Sequence, residues 1–148
     1  MAVLARVLLV LIGLVAAGSA FAQRAENANL RQFAQSTGLR DVDGFIETVT
    51  SLRKDMKLPA RYVTKREAER NGWRPGDDLC RTARGKAIGG DNFGNREGRL
   101  PRANGRSWRE ADLDFNCGKR GAKRLVWSSD GLIYVTVDHY NTFREVPK

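Results

Sequence analysis

The chain has 148 residues, enough for one compact domain, and 26 Lys and Arg residues against 17 Asp and Glu give it a net charge of +9. This excess favours polyanionic partners such as nucleic acid, heparin-like glycans or anionic lipid, and composition does not choose among them. One histidine, two cysteines and no CxxC motif do not provide the ligand spacing of a zinc site.

The N-terminus has the pattern of a secretory signal peptide. An apolar run, VLLVLIGLVAA at positions 7–17, follows one arginine, and an A-x-A sequence at 20–22 precedes Gln23. The run is shorter than the ~20 apolar residues of a membrane-spanning helix. We therefore expect residues 1–22 to be removed and the mature protein to be secreted, extracellular or periplasmic, monomeric and without a membrane anchor.

Residues 23–42 are predicted to be a pro-segment or a flexible, loosely docked extension. The segment is polar, and Leu30 and Phe33 are its only large apolar side chains before Leu39. The folded domain is accordingly expected to span 43–148.

Two helices are predicted next. Phe45, Val49, Leu52 and Met56 follow helical spacing after an expected N-cap at Asp43, and Leu58-Pro59 ends the helix. Further on, Thr64 and Glu67 form a capping-box pattern, which predicts a short helix over about 65–71. Lys65 would lie in its first turn, where the helix dipole disfavours a cation. A bound anion would explain it, and a solvated lysine is an equal alternative.

The second half of the chain has strand patterns. Candidate strands are 86–92, 106–113, 123–127, 132–137 and 142–146, and Asp130-Gly131 predicts a hairpin between the third and fourth. Helices followed by strands predict an α+β fold, with N-terminal helices packed on a twisted antiparallel β-sheet.

Cys80 and Cys117 are predicted to form a structural disulfide, because an exported chain enters an oxidising compartment. Closing a loop of roughly 37 residues would stabilise the fold by about 4 kcal/mol in chain-entropy terms.

The only histidine, His139, follows a predicted strand, and a lone histidine is more often structural than catalytic. No GxSxG motif supports serine hydrolysis. RNA cleavage by the substrate's own 2′-OH would need one base, one acid and several cations, without cofactor or metal. Glu110 is a candidate base, since Trp108, Glu110 and Asp112 share one face of a strand.

Several motifs then occur in one order with nearly constant spacing. They are YVTKREA at 62–68, IGGD at 88–91, NREG at 95–98, GRSWREAD at 105–112, SSD at 128–130, and LIY through DHY at 132–140. This ordered set resembles the barnase family of bacterial extracellular ribonucleases, from about Asp43 to the C-terminus. The resemblance implies the microbial ribonuclease fold and guanyl-preferring endoribonuclease activity through a 2′,3′-cyclic phosphate.

The resemblance also implies a role for each matching residue. Glu110 corresponds to the general base and His139 to the general acid. The phosphate-gripping cations would be Lys65, Arg120 and Arg124, with Arg96 as a further arginine facing the transition state. The guanine-reading segment would comprise Phe93, Asn95, Arg96 and Glu97, with Tyr140 bordering the substrate.

In that segment, Glu97 would accept hydrogen bonds from guanine N1 and N2, and the backbone amides of Asn95 and Arg96 would reach O6. Asp112 would orient Arg120 and Arg124. Three residues depart from the family: Gly131 replaces a bulky aromatic in the hairpin, and Lys119 and Lys123 are expected to add positive charge beside the pocket.

RNA is thus the expected substrate, and the resemblance implies a small acidic inhibitor of the barstar type as a second partner. The competing hypothesis is a non-catalytic cationic module that binds RNA or another polyanion. Such a module has no need of Glu110 or His139 at these positions.

Overall fold

Two helices packed against one face of a six-stranded sheet form the main core, and a short third helix packs in a separate apolar cluster. The computed structural model describes the backbone of residues 2–148 and the side chains of residues 18–148. Helix α1 spans Ala2–Ser36, α2 spans Val42–Asp55, α3 spans Lys65–Arg70, and a 3-10 turn covers Leu79–Arg81. The strands are β1 (Tyr62–Val63), β2 (Ala87–Phe93), β3 (Trp108–Asp112), β4 (Arg124–Ser128), β5 (Ile133–Thr136) and β6 (Arg144–Glu145).

The signal-peptide prediction rests mainly on side chains 7–17, which lie outside the described residues. Within the described part of the chain, no helix combines the length and apolarity that crossing a membrane requires.

The strands follow chain order across the sheet, from β1 to β6. All neighbours pair antiparallel except β1, which runs parallel to β2. The α+β prediction is confirmed, whereas the wholly antiparallel sheet is corrected at this edge. The two-residue β1 is too short for a sequence pattern, and the intervening α3 returns the chain in the same direction, as a parallel pair requires.

One face of the sheet packs in the main core, and the other carries polar side chains. Ala111 of β3 pairs with Leu125 of β4, which pairs with Val135 of β5, and all three are buried in the main core with α1 and α2. The opposite face carries Trp108, Glu110 and Asp112, as strand alternation predicts. The sheet therefore presents the carboxylates of Glu110 and Asp112 on the face opposite α1 and α2.

The limits of α2 differ from the prediction. Asp41, not Asp43, is the N-cap, because its carboxylate accepts a 2.9 Å hydrogen bond from the Gly44 amide. Asp43 lies in the first turn and pairs with Arg31 at 2.8 Å. Met56, predicted on the buried face, is the C-cap with φ of 58° and is 43% exposed.

The segment expected to be loosely docked is a packed helix over its described C-terminal part. Leu30, Phe33 and Ala34 of α1 share one helix face and are buried in the main core, together with Leu39. Arg53 of α2 also forms a 2.7 Å ion pair with Glu26. Leu30, Phe33 and Ala34 are enough to dock the helix on the core because they lie at i, i+3 and i+4, on one helix face. The packed unit therefore begins before Asp43.

The predicted disulfide is present. Cys80 and Cys117 are bonded with a Cα–Cα distance of 5.3 Å. Asp78 Oδ1 accepts hydrogen bonds from the amides of Cys80 and Gly118, at 2.9 and 2.8 Å, so one carboxylate joins both ends of the bridge. The bridge ties the 3-10 turn to the β3–β4 loop.

Candidate active site

The Glu110 carboxylate lies at the centre of the polar sheet face, with a side chain only 7% exposed. Its Oε2 accepts a 2.6 Å hydrogen bond from the Tyr140 hydroxyl, and its Oε1 accepts one of 3.4 Å from Lys65 Nζ. An Arg120 guanidinium nitrogen lies 4.0 Å from the same Oε1. Each partner donates a hydrogen bond or carries positive charge, so donors and cations surround the carboxylate.

Lys65 reaches this carboxylate from the start of α3. The predicted capping box is present, with reciprocal hydrogen bonds between Thr64 and Glu67. The Lys65 amide also donates to Asp91 Oδ2 at 3.0 Å, which ties the helix start to β2. The lysine in an unfavourable first turn thus has a specific anionic partner, Glu110, rather than solvent alone.

Two arginines share the buried carboxylate of Asp112. Arg120 donates to both Asp112 oxygens, at 2.8 and 2.6 Å, and Arg124 Nε lies 3.0 Å from Oδ1. Burial by itself lowers the pKa of Arg120, but the hydrogen bonds and charge of Asp112 outweigh it, so the pKa is raised. Asp112 therefore holds Arg120 charged and aimed toward Glu110.

The loop after β5 carries His139 at the rim of the site. His139 and Tyr140 both have positive φ, 56° and 70°, a conformation that costs non-glycine residues energy. Asp138 holds this turn through hydrogen bonds from Thr136 and from both the hydroxyl and amide of Thr142. The Thr142 hydrogen bonds are the main cause that lowers the pKa of Asp138 to about 2.

Tyr140 connects the two candidate acid–base residues. Its ring centroid is 5.0 Å from that of exposed His139, while its hydroxyl binds Glu110. Burial, followed by the hydrogen bond and charge of Glu110, raises the pKa of Tyr140 to about 12. The hydroxyl therefore remains a donor to Glu110 throughout the neutral range.

A cavity of about 400 Å³ adjoins Tyr140 and is lined by the segment from Asn92 to Glu97, with Arg99 and Phe143. We call it the loop cavity. The Phe93 ring stacks on Tyr140 at 5.2 Å and forms an aromatic wall. Glu97 lies at the edge, paired with Arg99 at 2.7 Å.

Asn95 shapes the loop. It is buried, has φ of 43°, and its carboxamide bonds to the amide and carbonyl of Leu100, each at 3.0 Å. Its side chain is therefore structural. The amides of Asn95 and Arg96 have no hydrogen-bond partner within the described residues, so both are free to donate to a ligand.

The structure therefore brings together most of the residues predicted from the sequence. Glu110 is surrounded by Lys65, Arg120 and Tyr140, and His139 flanks Tyr140. Arg96 is exposed and lines the loop cavity together with Tyr140. Sequence reasoning missed Arg99 and Phe143 as cavity residues and Asp138 as a loop anchor. The Asp-to-Thr spacing of four was the one available signal for the last.

Lys123 does not add charge to the pocket, contrary to expectation. Its ammonium donates to Asp114 at 2.7 Å and to the Gly38 carbonyl at 2.6 Å. Asp114 in turn accepts from the amides of Arg40 and Asp41. Lys123 therefore fastens the α1–α2 connection to the sheet, while Lys119 is exposed.

The one group of potential metal ligands among the described residues is Asp78 with Cys80 and Cys117. Both sulfurs are in the disulfide, so neither is available as a thiolate.

Comparison with known proteins gives concordant matches. A family model described as ribonuclease matches residues 47–147. A ribonuclease from Bacillus intermedius is 45% identical over 122 residues, covering 82% of this chain and 75% of that protein. A ribonuclease from Heyndrickxia coagulans is 55% identical over 91 residues, covering 61% of this chain and 84% of that protein. A crystal structure of ribonuclease Sa2 with guanosine-2′-cyclophosphate is 32% identical, covers 55% of this chain and 75% of that one, and has a TM-score of 0.34.

Proposed function

This chain belongs to the ribonuclease family and is an endoribonuclease, and we propose that it cleaves single-stranded RNA after guanosine by metal-independent acid–base chemistry. The observation that carries this proposal is the buried Glu110 carboxylate, held among Lys65, Arg120 and Tyr140 with His139 at the rim.

In the proposed first step, ionised Glu110 takes the proton of the ribose 2′-OH. The 2′-oxygen bonds to phosphorus as the bond from phosphorus to the 5′-oxygen breaks, and protonated His139 gives its proton to that leaving oxygen. The products are a 2′,3′-cyclic phosphate and a free 5′-OH. Slower hydrolysis of the cyclic phosphate reverses the two roles, with His139 activating water.

Lys65 and Arg120 are suited to stabilise the charge that develops on the phosphate oxygens. Both are already positioned near Glu110, so they need not reorganise as the reaction proceeds. Arg124 was expected to grip the phosphate as well, but its side chain is only 4% exposed and is bound to Asp112 and two loop carbonyls. We therefore propose that it holds Asp112 in place for Arg120.

We propose that the loop cavity holds guanine. The free amides of Asn95 and Arg96 would donate to O6, and Glu97 would accept from N1 and N2, against the aromatic wall of Phe93 and Tyr140. Adenine offers a donor where guanine has O6, so it would leave these amides unpaired. Glu97 would have to share or leave Arg99 on binding.

We also propose that the protein is exported through its N-terminal signal sequence. A disulfide in the folded chain is typical of oxidising compartments and is compatible with an extracellular or periplasmic protein.

An acidic inhibitor of the barstar type is the proposed protein partner. Lys65, Arg96, Arg120 and His139 would form a cationic surface that a carboxylate could occupy in place of phosphate. Charge complementarity would make association fast and salt-sensitive, an effect for which barnase with barstar is itself the standard example. Titration of wild type and R96A with such an inhibitor, at low and high salt, tests this. Binding indifferent to R96A would place the docking surface elsewhere.

The decisive experiment is cleavage of a structured RNA in EDTA, with the cut ends mapped. We expect cuts after unpaired guanosines, 2′,3′-cyclic phosphate ends and a bell-shaped pH dependence of kcat/KM whose basic limb disappears in H139A. E110Q should abolish most turnover but still bind RNA, whereas E69Q, at an exposed glutamate on α3, should behave as wild type.

Loss of activity in EDTA with rescue by a divalent ion would refute the mechanism. RNA binding without any cleavage by the folded protein would favour the alternative of a non-catalytic cationic module.

A further inference from the structure

A second cavity, of about 290 Å³, adjoins the loop cavity and shares Gly94, Asn95 and Arg96 with it. Its other side is formed by Arg102, Arg106 and Trp108. No acidic residue lines this second cavity within the described part of the chain. Three arginines around a small concave surface are an arrangement suited to an anion.

The three arginines differ in how their charge is used. Arg106 is neutralised by Asp130, which accepts from its Nε at 2.9 Å and its Nη2 at 2.6 Å. Arg96 and Arg102 form no ion pair with any described residue. The second cavity therefore carries two guanidinium charges that the protein itself leaves without a counterion.

The exposed Arg102 side chain lies with its guanidinium against Gly98 of the neighbouring loop. Gly98 has φ of 65°, and a Cβ at this position would come within 3.1 Å of Arg102 Nη2. Arg102 therefore lies beside the 94–98 loop, whose residue Arg96 lines the second cavity with it.

The second cavity also lies at a defined end of the site. On β3, Asp112 with its paired arginines marks one end, Glu110 the centre and Trp108 the other end. The scissile phosphate, which is 3′ to the bound guanosine, would be held at Glu110 and Arg120. The Trp108 end is therefore where the chain on the 5′ side of that guanosine would leave.

We propose that the second cavity is a subsite for the backbone phosphate on the 5′ side of the guanosine, bound by Arg102 together with Arg96. This assignment rests on the proposed function, because it takes the guanosine to lie in the loop cavity. The enzyme would then bind RNA on both sides of the scissile bond, and Arg102 would favour substrates that have a phosphate on the 5′ side of the guanosine.

Three small substrates test the assignment on the full-length protein. GpU lacks terminal phosphates, pGpU has one at the 5′ end, and GpUp has the same added charge at the 3′ end. We expect wild type to have a higher kcat/KM on pGpU than on GpU, and R102A to lower that ratio by roughly two- to fivefold, as for one exposed ion pair. The effect should weaken with added salt.

The matched control is R74A, which removes an exposed arginine outside both cavities and should leave the ratio of pGpU to GpU as in wild type. The ratio of kcat/KM for GpUp to that for GpU measures non-specific electrostatic attraction, since GpUp has its added charge at the 3′ end. Equal losses on pGpU and GpUp in R102A would overturn the subsite and leave only bulk electrostatics. Failure of wild type to cleave GpU at all would instead overturn the proposed function.

Discussion

The Tyr140 hydroxyl donates a 2.6 Å hydrogen bond to Oε2 of Glu110, and the same hydroxyl accepts from Arg124 Nε at 3.2 Å. This pair joins the loop that carries His139 to the strand that carries the candidate base. The orientation of Glu110 therefore depends on a residue 30 positions away in the sequence.

Titration of Tyr140 reports directly on this contact. In wild type its pKa is raised to about 12, by burial first and then by the hydrogen bond and charge of Glu110. E110Q removes that charge, so we expect the Tyr140 pKa to fall toward the ordinary value, measured by NMR of the tyrosine ring carbons. Tyr134, whose pKa is raised by burial and Glu145, is the internal control. An unchanged Tyr140 titration would contradict the hydrogen bond.

Asp112 should support both stability and turnover. D112N removes the counterion of Arg120 and Arg124 in a buried setting, and we expect the free energy of unfolding to fall by roughly 3–5 kcal/mol. Turnover should fall further than substrate affinity, because a misplaced Arg120 loses contact mainly with transition-state charge.

D114N is the control for Asp112, since Asp114 is likewise buried and paired, but with Lys123 outside the site. It should lose stability and retain the kcat of wild type. Equal loss of kcat in both variants would show that the effect of D112N is only structural.

The disulfide should stabilise the fold without setting the cleavage pattern. Replacing Cys80 and Cys117 with alanine should lower the free energy of unfolding by up to about 4 kcal/mol and the melting temperature by on the order of 10 °C. The cut positions in RNA should be those of wild type. Reduction of the wild-type protein should give the same melting temperature as the double variant, and a mismatch would point to packing by the sulfurs instead.

Helix α1 should contribute to the core even though the family match begins only at residue 47. Leu30 is fully buried, so L30A should destabilise the protein by about 2–5 kcal/mol in chemical denaturation. Q32A, at an exposed position on the same helix, should change stability by less than about 0.5 kcal/mol. Similar small effects from both would mean that the segment detaches in solution.

Stability should also decline in acid. Hydrogen bonds from Thr142 hold the pKa of Asp138 at about 2, against an ordinary 3.8. Because the pKa is lower in the folded than in the unfolded state, the ionised carboxylate stabilises the folded protein above about pH 4. This contribution is lost as the pH falls from about 4 to about 2. D138N should flatten this part of the curve of unfolding free energy against pH, whereas D77N, whose exposed carboxylate accepts no hydrogen bond from described residues, should not.

The sequence alone determined what depends on local patterns and on ordered motifs. The capping box at Thr64, the Asp130-Gly131 hairpin, the common face of Trp108, Glu110 and Asp112, and the pairing of the only two cysteines all agree with the structure. These features involve near neighbours, a two-residue alternation or a unique pair. They therefore needed no knowledge of distant contacts.

Only the tertiary structure decided which distant residues meet. The docking of α1, the capture of Lys123 by Asp114, and the link from Tyr140 to Glu110 each join segments far apart in the chain. Such contacts depend on how the sheet twists and where helices cover it, and a local pattern records neither. Lys123 is an example. Its place in the sequence predicted a charge beside the pocket, but its ammonium binds the buried carboxylate of Asp114 instead.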